Sequence, residues 1–260
     1  MKKISVWVIV VLFATPLAFF QGCAAEKVSI KIEKSLPQSK LAHYNDSFDN
    51  LREDLWQKAG LVNEEQLSNF KFADISIENG QLKIVTKTGS FSKGSLASKY
   101  TLRGDFDIQV DCHIDFLKRK YDMRQQLGLR VLETGKEMKD LDWIAIVARK
   151  REGSLESEII SACQRWGKLN TGSRYRISDF HGTFRIVRIG NKISTLFQKD
   201  GEIAWRKDFT TSFTKNDVIF GFAIQNFSPG ITSITATSSF VGKFDNFRIN
   251  AAQEIIEEEI

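Results

Sequence analysis

The chain has 260 residues, 42% hydrophobic and 27% charged, with a formal net charge of +5. That is enough apolar material for one sizeable core, and too small a positive excess for a nucleic-acid surface, where basic residues mass on one face. Three histidines and three cysteines, with no Cys-x-x-Cys pair and no ligand-spaced histidines, give a zinc site no support; no internal repeat argues for a propeller or solenoid.

At the N-terminus, Lys2 and Lys3 precede an apolar stretch at 4–20 that is broken by Pro16 and followed by the small residues Gly22, Ala24 and Ala25. This is the plan of a secretory signal peptide, not of a membrane-spanning helix. Phe20-Gln21-Gly22-Cys23 resembles a bacterial lipobox, in which the cysteine is lipidated; ordinary secretion is the alternative. A lipidated Cys23 would anchor the protein to a membrane of the bacterial cell envelope, periplasmic or surface-exposed. Cys112 and Cys163 would then remain. Export permits one disulfide between them, but Cys112 shares the parity of Ile108, Val110 and Ile114 and reads better as a small buried hydrophobe.

Residues 24–72 read as an N-terminal strand at 27–34, where Val28, Ile30 and Ile32 alternate with polar residues, followed by loop and short helix. Leu51, Leu55 and Trp56 recur at helical spacing, and 63–66 resembles a helix start before Leu67 and Phe70. Trp56 is expected to anchor the core beneath this excursion. Residues 73–250 carry the β signals. Ile75 and Ile77 lead through Asn79-Gly80 to Leu82 and Ile84, a hairpin with favoured turn residues. Residues 104–116 alternate almost strictly, with Phe106, Ile108, Val110, Cys112, Ile114 and Phe116 facing one way and Asp105, Asp107, Asp111 and Asp115 the other, toward water. Further strands are expected at 127–133, 142–151, 157–166, 175–177, 202–209, 218–226 and 233–250, with Ser228-Pro229-Gly230 as a turn. The hairpin at 182–200, turning at Gly190-Asn191, is expected to be the centre on which the others pack. Residues 251–260, rich in glutamate, read as a solvated, frayed acidic tail.

Four pieces carry a family resemblance. They are Gly94-Ser95-Leu96-Ala97-Ser98 with Leu102-Arg103-Gly104-Asp105-Phe106-Asp107-Ile108; Gly128-Leu129-Arg130-Val131; Gly182-Thr183-Phe184-Arg185-Ile186 with its hairpin; and Phe244-Asp245-Asn246-Phe247-Arg248-Ile249. Together they resemble the concanavalin A-like lectin/glucanase superfamily, in particular its bacterial laminin-G-like and 3-keto-disaccharide hydrolase-like members. The expected fold is therefore all-β, a two-sheet antiparallel jelly-roll sandwich with a short helical excursion near the N-terminus. The resemblance implies a concave sheet that often binds carbohydrate, without implying catalysis.

Sugar recognition needs flat aromatic faces and planar polar groups. On 142–151, Trp143 and Arg149 share a face with Ala145 and Val147, opposite the core-like Ile144, Ile146 and Ala148. Arg130 is out of phase with Leu127, Leu129 and Val131, and Gln225 with Phe220, Phe222 and Ile224. If these strands are neighbours, Arg130, Trp143, Arg149 and Gln225 line a shared polar concavity. Arg165 and Trp166, near an expected loop, are further ligand-binding candidates, whereas Trp205 reads as core or edge packing. Against an enzyme, no Glu-x-Asp pair of the β-glucanase kind and no Gly-x-Ser-x-Gly elbow occurs. Glu156 and Glu158 read as a solvated strand edge, and Asp140 and Asp142 as loop. Calcium, which laminin-G-like relatives often bind, would draw on Asp245 and Asn246 with Asp105 or Asp107; isolated surface carboxylates are the default, so no metal and no cofactor is assigned. The resulting expectation is an exported, lipid-anchored sandwich that binds carbohydrate or a cell-envelope protein without catalysis. A glycoside-active hydrolase or lyase of the same superfold, and a structural envelope protein, are the competing readings.

Overall fold

The computed structural model describes residues 30–60, 73–88, 94–117, 124–135, 140–227 and 237–257. The signal peptide, Cys23, the helix start at 63–66 and the 228–230 turn lie outside them. Fourteen strands form within the described residues. They are β1 (Trp56–Gly60), β2 (Ala73–Glu78), β3 (Gln81–Thr86), β4 (Gly94–Ser98), β5 (Tyr100–Ile114), β6 (Arg124–Glu133) and β7 (Trp143–Lys150). The later seven are β8 (Ser157–Arg165), β9 (Lys168–Ile177), β10 (Phe180–Ile189), β11 (Lys192–Lys199), β12 (Arg206–Ser212), β13 (Val218–Phe227) and β14 (Phe240–Glu257).

Every pairing is antiparallel, and the ladders divide into two sheets. One runs β12-β11-β10-β5-β14-β3-β2. The other runs β9-β8-β7-β6-β13-β4-β1. Among the described residues a single pairing, Val218 with Leu102, joins them. The alternation in the sequence supplies the core: Phe106, Ile108, Val110 and Ile114 of β5 belong to the same buried cluster as Leu129 of β6, Ile146 of β7 and Phe222 of β13. Each such side chain contributes on the order of 1.5–3 kcal/mol of burial, which two amphipathic sheets obtain by facing one another.

Both expected hairpins form. Asn79 and Gly80 take φ of 54° and 69°, the two left-handed residues of a turn whose twist matches the strands. At the other, Gly190 alone is left-handed at φ 59°, with Ile189 facing Lys192. The centre of the first sheet, however, is β5, flanked by β10 and β14; β10 and β11 lie toward its edge.

The N-terminal region differs from expectation in detail. Residues 30–34 form no strand; Lys34 takes φ 56° in a turn, and Leu36 N–H bonds to Ala252 O at 2.7 Å. The helix is α1 (Gln38–Leu41), continued as a 3-10 turn over Ala42–Tyr44, while Leu51 and Leu55 precede a strand. Trp56 is buried, as a core anchor should be, and its indole N–H donates to Asp46 Oδ2 at 2.7 Å. Asp46 in turn exchanges two backbone hydrogen bonds with Phe247 on β14, so the segment caps one end of the core.

The acidic tail is not frayed at 251–257. These residues continue β14, with Ile255 opposite Leu102 and Glu257 opposite Tyr100. Here His43, Tyr44, Leu55, Tyr100 and Glu257 line a recess of about 270 Å³. Tyr44 Oη donates to Glu257 Oε1 at 2.5 Å, and burial together with this bond pushes the phenol up to about 12. Between the ordinary value of 10.0 and about 12, the folded chain keeps a proton that the unfolded chain releases, so this contribution to stability is intact below 10.0 and is lost as pH rises toward 12. Alkaline titration of tyrosine absorbance should therefore show Tyr44 ionising late, and Glu257→Gln should bring it down. A wild-type Tyr44 that ionises at the ordinary value would refute its burial against Glu257.

Candidate functional site

The outer face of the second sheet, opposite the core, collects the candidate residues. Because β13, β6, β7, β8 and β9 are consecutive neighbours, residues of like parity fall into rows across it. Ile219, Leu132, Trp143, Gln164 and Leu169 form one row. Ala97, Gly221, Arg130, Ala145, Ala162 and Thr171 form the next. Beyond a row through Gly128, Val147, Ile160 and Arg174 comes Gln225, Gln126, Arg149, Glu158 and Arg176. The structure thus brings Arg130, Trp143, Arg149 and Gln225 onto one face, in adjoining strands.

The face has an apolar end and a polar end. Ala97 and Leu132 are buried with Trp143 and Ile219 packed on them, and Ala145, Val147 and Ile160 continue the apolar surface beneath Trp143. The Arg130 guanidinium lies over the Trp143 ring, 5.1 Å from its centroid. Its row neighbours Gly221 and Ala145 have almost no side chain. Burial lowers the Arg130 pKa to about 10, still cationic at neutral pH, and its Nε is enclosed without a hydrogen-bond partner.

At the polar end, Glu158 is not the solvated edge residue its sequence position suggests. It is buried, and Arg149 Nε donates to its Oε1 at 2.9 Å. Arg151 Nε lies 3.4 Å from the same oxygen and Arg174 Nε 3.9 Å from the other. Glu156, exposed, pairs with Arg176 at 3.4 Å. The signal for Gln126 was present, since it shares the parity of Arg130 on the same strand. Arg174 and Arg176 carried none, because β9 is an edge strand that is mostly exposed and lacks apolar alternation.

Arg165 and Trp166 are placed elsewhere. Trp166 and Gly167, at φ 49° and 71°, make the β8–β9 turn, so the tryptophan is 74% exposed at a hairpin tip on the rim. Arg165 stacks on that ring at 4.1 Å and approaches Asp142 Oδ2 at 3.5 Å, with the opposite parity to Gln164. Asp142 is itself buried rather than a free loop carboxylate, and its Oδ1 accepts the Trp166 N–H at 3.1 Å.

The outer face of the first sheet is a network of paired polar groups rather than an open wet surface. Asp107 is buried and pairs with Arg185, whose Nε donates to Oδ1 at 2.8 Å while a second guanidinium nitrogen bonds Oδ2. Arg185 lies over the Trp205 ring at 5.2 Å, in the loop before β12. The residues considered for calcium do not converge: Asp105 Oδ1 accepts the Gly190 N–H at 2.7 Å, and Asn246 donates to Asp111 Oδ2 at 3.1 Å. His113 and His181, distant in sequence, are neighbours across β5 and β10, with ring centroids 5.3 Å apart. Among the described residues no three His, Cys, Asp or Glu side chains are grouped to hold a metal. Cys112 and Cys163 are both free and buried.

No protein-family model and no curated protein matches the sequence. Solved structures do match the fold. LamA from Zobellia galactanivorans, in complex with laminaritriose and laminaritetraose, superposes with a TM-score of 0.53 at 10% identity, covering 84% of this chain and 99% of that one. The GlcNAcα1-4Gal-releasing endo-β-galactosidase of Clostridium perfringens gives 0.55 at 10% identity over 85% of this chain and 64% of its own. The CBM2 module of the evolved Dit of Lactobacillus casei BL23 phage J-1 gives 0.52 at 8% identity, over 80% and 95%. The architecture of the chain is accordingly that of the all-β sandwiches of concanavalin A-like, glucanase-type fold, a fold these carbohydrate-active proteins share.

Proposed function

We propose that the protein binds carbohydrate on the outer face of its second sheet, without catalysing a reaction. The observation that carries this reading is the placing of Trp143 beside Arg130, Ala145 and Gln164, one row from small residues and within the same face as Gln126, Gln225 and Arg149. An aromatic ring offers a sugar its C–H contacts, and amides and guanidinium groups projecting from the same face of the sheet meet its hydroxyls. The similar folds of a laminarin-oligosaccharide complex and of an endo-β-galactosidase lend support. Against turnover, a retaining glycosidase needs two carboxyl groups about 5–5.5 Å apart, one of them free to act as an acid. Glu158, the buried carboxylate on this face, is engaged by three arginines. Export, and a lipid anchor on Cys23 that would hold this face at the bacterial envelope, complete the proposal and rest on the sequence of 1–23.

The test is a glycan-array and calorimetric screen of the protein with Trp143→Ala alongside. The expected result is a glycan bound by the wild type and weakened about tenfold or more by the substitution, the scale of one lost aromatic platform. Equal binding by the variant would place the ligand elsewhere. Release of shortened sugars in the same assay would replace the binding reading with the hydrolase one.

A further inference from the structure

We infer that the glycan this face takes is an acidic one, and that Arg130 receives its carboxylate or sulfate; the inference rests on the carbohydrate-binding reading above. The argument begins with what Arg130 lacks. A guanidinium carries five N–H donors in a planar fork, and a buried one is ordinarily matched to a carboxylate or to carbonyl oxygens. Other enclosed arginines have a carboxylate or carbonyl beside them: Arg185 is held by Asp107, Arg188 by the carbonyls of Gly104 and Asn216, and Arg149 by Glu158, while Arg165, whose Nε also lacks a hydrogen bond, still lies 3.5 Å from Asp142. Arg130 touches the Trp143 ring, and among the described residues no carboxylate or carbonyl accepts from it.

The surroundings have the complementary charge for such an occupant. On this face and its margin stand Arg130, Arg149, Arg151, Arg174 and Arg176, against Glu156 and Glu158, and both glutamates are already paired within the group. Neighbouring arginines repel, so Glu158 serves to hold three of them together and leaves the cluster positive. Beside Arg130 in its row stand Gly221 and Ala145, the two smallest neighbours a strand can offer, and the Trp143 ring lies 5.1 Å from the guanidinium. A uronate or sulfated pyranoside fits this arrangement: its ring meets the apolar end around Trp143 and its anion the fork, through the short bidentate bonds that guanidinium forms with oxyanions.

The same geometry makes a prediction that a packing role would not. If Arg130 only filled space, Arg130→Met, which keeps bulk and flexibility, would leave ligand choice unchanged. Arg130 as an anion receptor instead stands half-buried with its enclosed Nε unpaired, so Arg130→Met should melt at the wild-type temperature or higher while losing the ligand.

The experiment measures binding of the purified full chain to oligogalacturonate, to a sulfated galactan, and to neutral laminari- and galacto-oligosaccharides, at low and at physiological salt. Expected are binding of one acidic class, weakening with salt, and a loss of about tenfold or more in Arg130→Met, with Arg130→Lys between the two. Preference for oligogalacturonate identifies the anion as carboxylate, and preference for the galactan as sulfate. Neutral glycans bound as well as acidic ones, or acidic binding untouched in Arg130→Met, would overturn the inference and leave carbohydrate binding standing. A folded protein that binds neither class would overturn both.

Discussion

Asp107→Ala should destabilise the protein by about 3–5 kcal/mol, the cost of leaving one member of a buried ion pair without the other. Asp107 is 2% exposed and its carboxylate accepts from Arg185 Nε at 2.8 Å and from Asn250 Nδ2 at 3.1 Å. Arg185 lies between β5 and the ring of Trp205, which shuts solvent away from the guanidinium. Without Asp107 the cation keeps its burial and loses its partner. The double variant Asp107→Ala with Arg185→Met should recover most of the loss, because an apolar pair of similar volume often replaces a buried ion pair at little cost. Urea denaturation of the wild type, the two single variants and the double variant decides the matter. A double variant as unstable as the sum of the singles would mean that the two residues act separately.

A loss of similar size, about 3–5 kcal/mol, is expected for Trp56→Ala, which removes a large aromatic from the core. Its ring packs against Phe48, Phe220, Phe222 and Phe247, with centroids 4.8–6.2 Å away. Trp56→Phe separates packing from hydrogen bonding. It keeps a ring but withdraws the N–H from Asp46 Oδ2, leaving the Phe48 N–H at 2.7 Å on the other oxygen. Burial already raises the Asp46 carboxyl above its ordinary value, and the lost donor should raise it further. Only the ionised form loses that support. The penalty of Trp56→Phe, about 1–3 kcal/mol at neutral pH, should therefore shrink as pH falls through the raised value and Asp46 takes a proton. A penalty that does not vary with pH would show that Asp46 gains nothing from the indole.

What could be read from the sequence was whatever depends on near neighbours in the chain. The alternation of 104–116 gives β5 and its buried face, and Asn79-Gly80 and Gly190-Asn191 give their hairpins. Parity alone put Arg130, Trp143, Arg149 and Gln225 on the outer side of their strands; that they share one surface depends on β13 lying beside β6, a pairing no local pattern encodes. Glu158 looked solvated because its burial comes from arginines on β7, β9 and the turn between β7 and β8. Arg165 and Trp166 fall at the turn where a loop was expected, but that Trp166 itself takes the left-handed turn position has no common sequence signature. The tail at 251–257 has the composition of a frayed end, and is ordered because β5 is long enough to pair with it.

That long last strand also sets the order in which the chain can be built. β14 stands between β5 and β3, and among the described residues β2 and β3 join the first sheet only through it. A growing polypeptide that has already made β2 and β3 holds them as a bare hairpin, which is marginal in water, until β14 has been made. Completion of the sandwich thus waits for β14, and a chain cut before that strand would lose the attachment of the β2–β3 hairpin along with the strand's own residues.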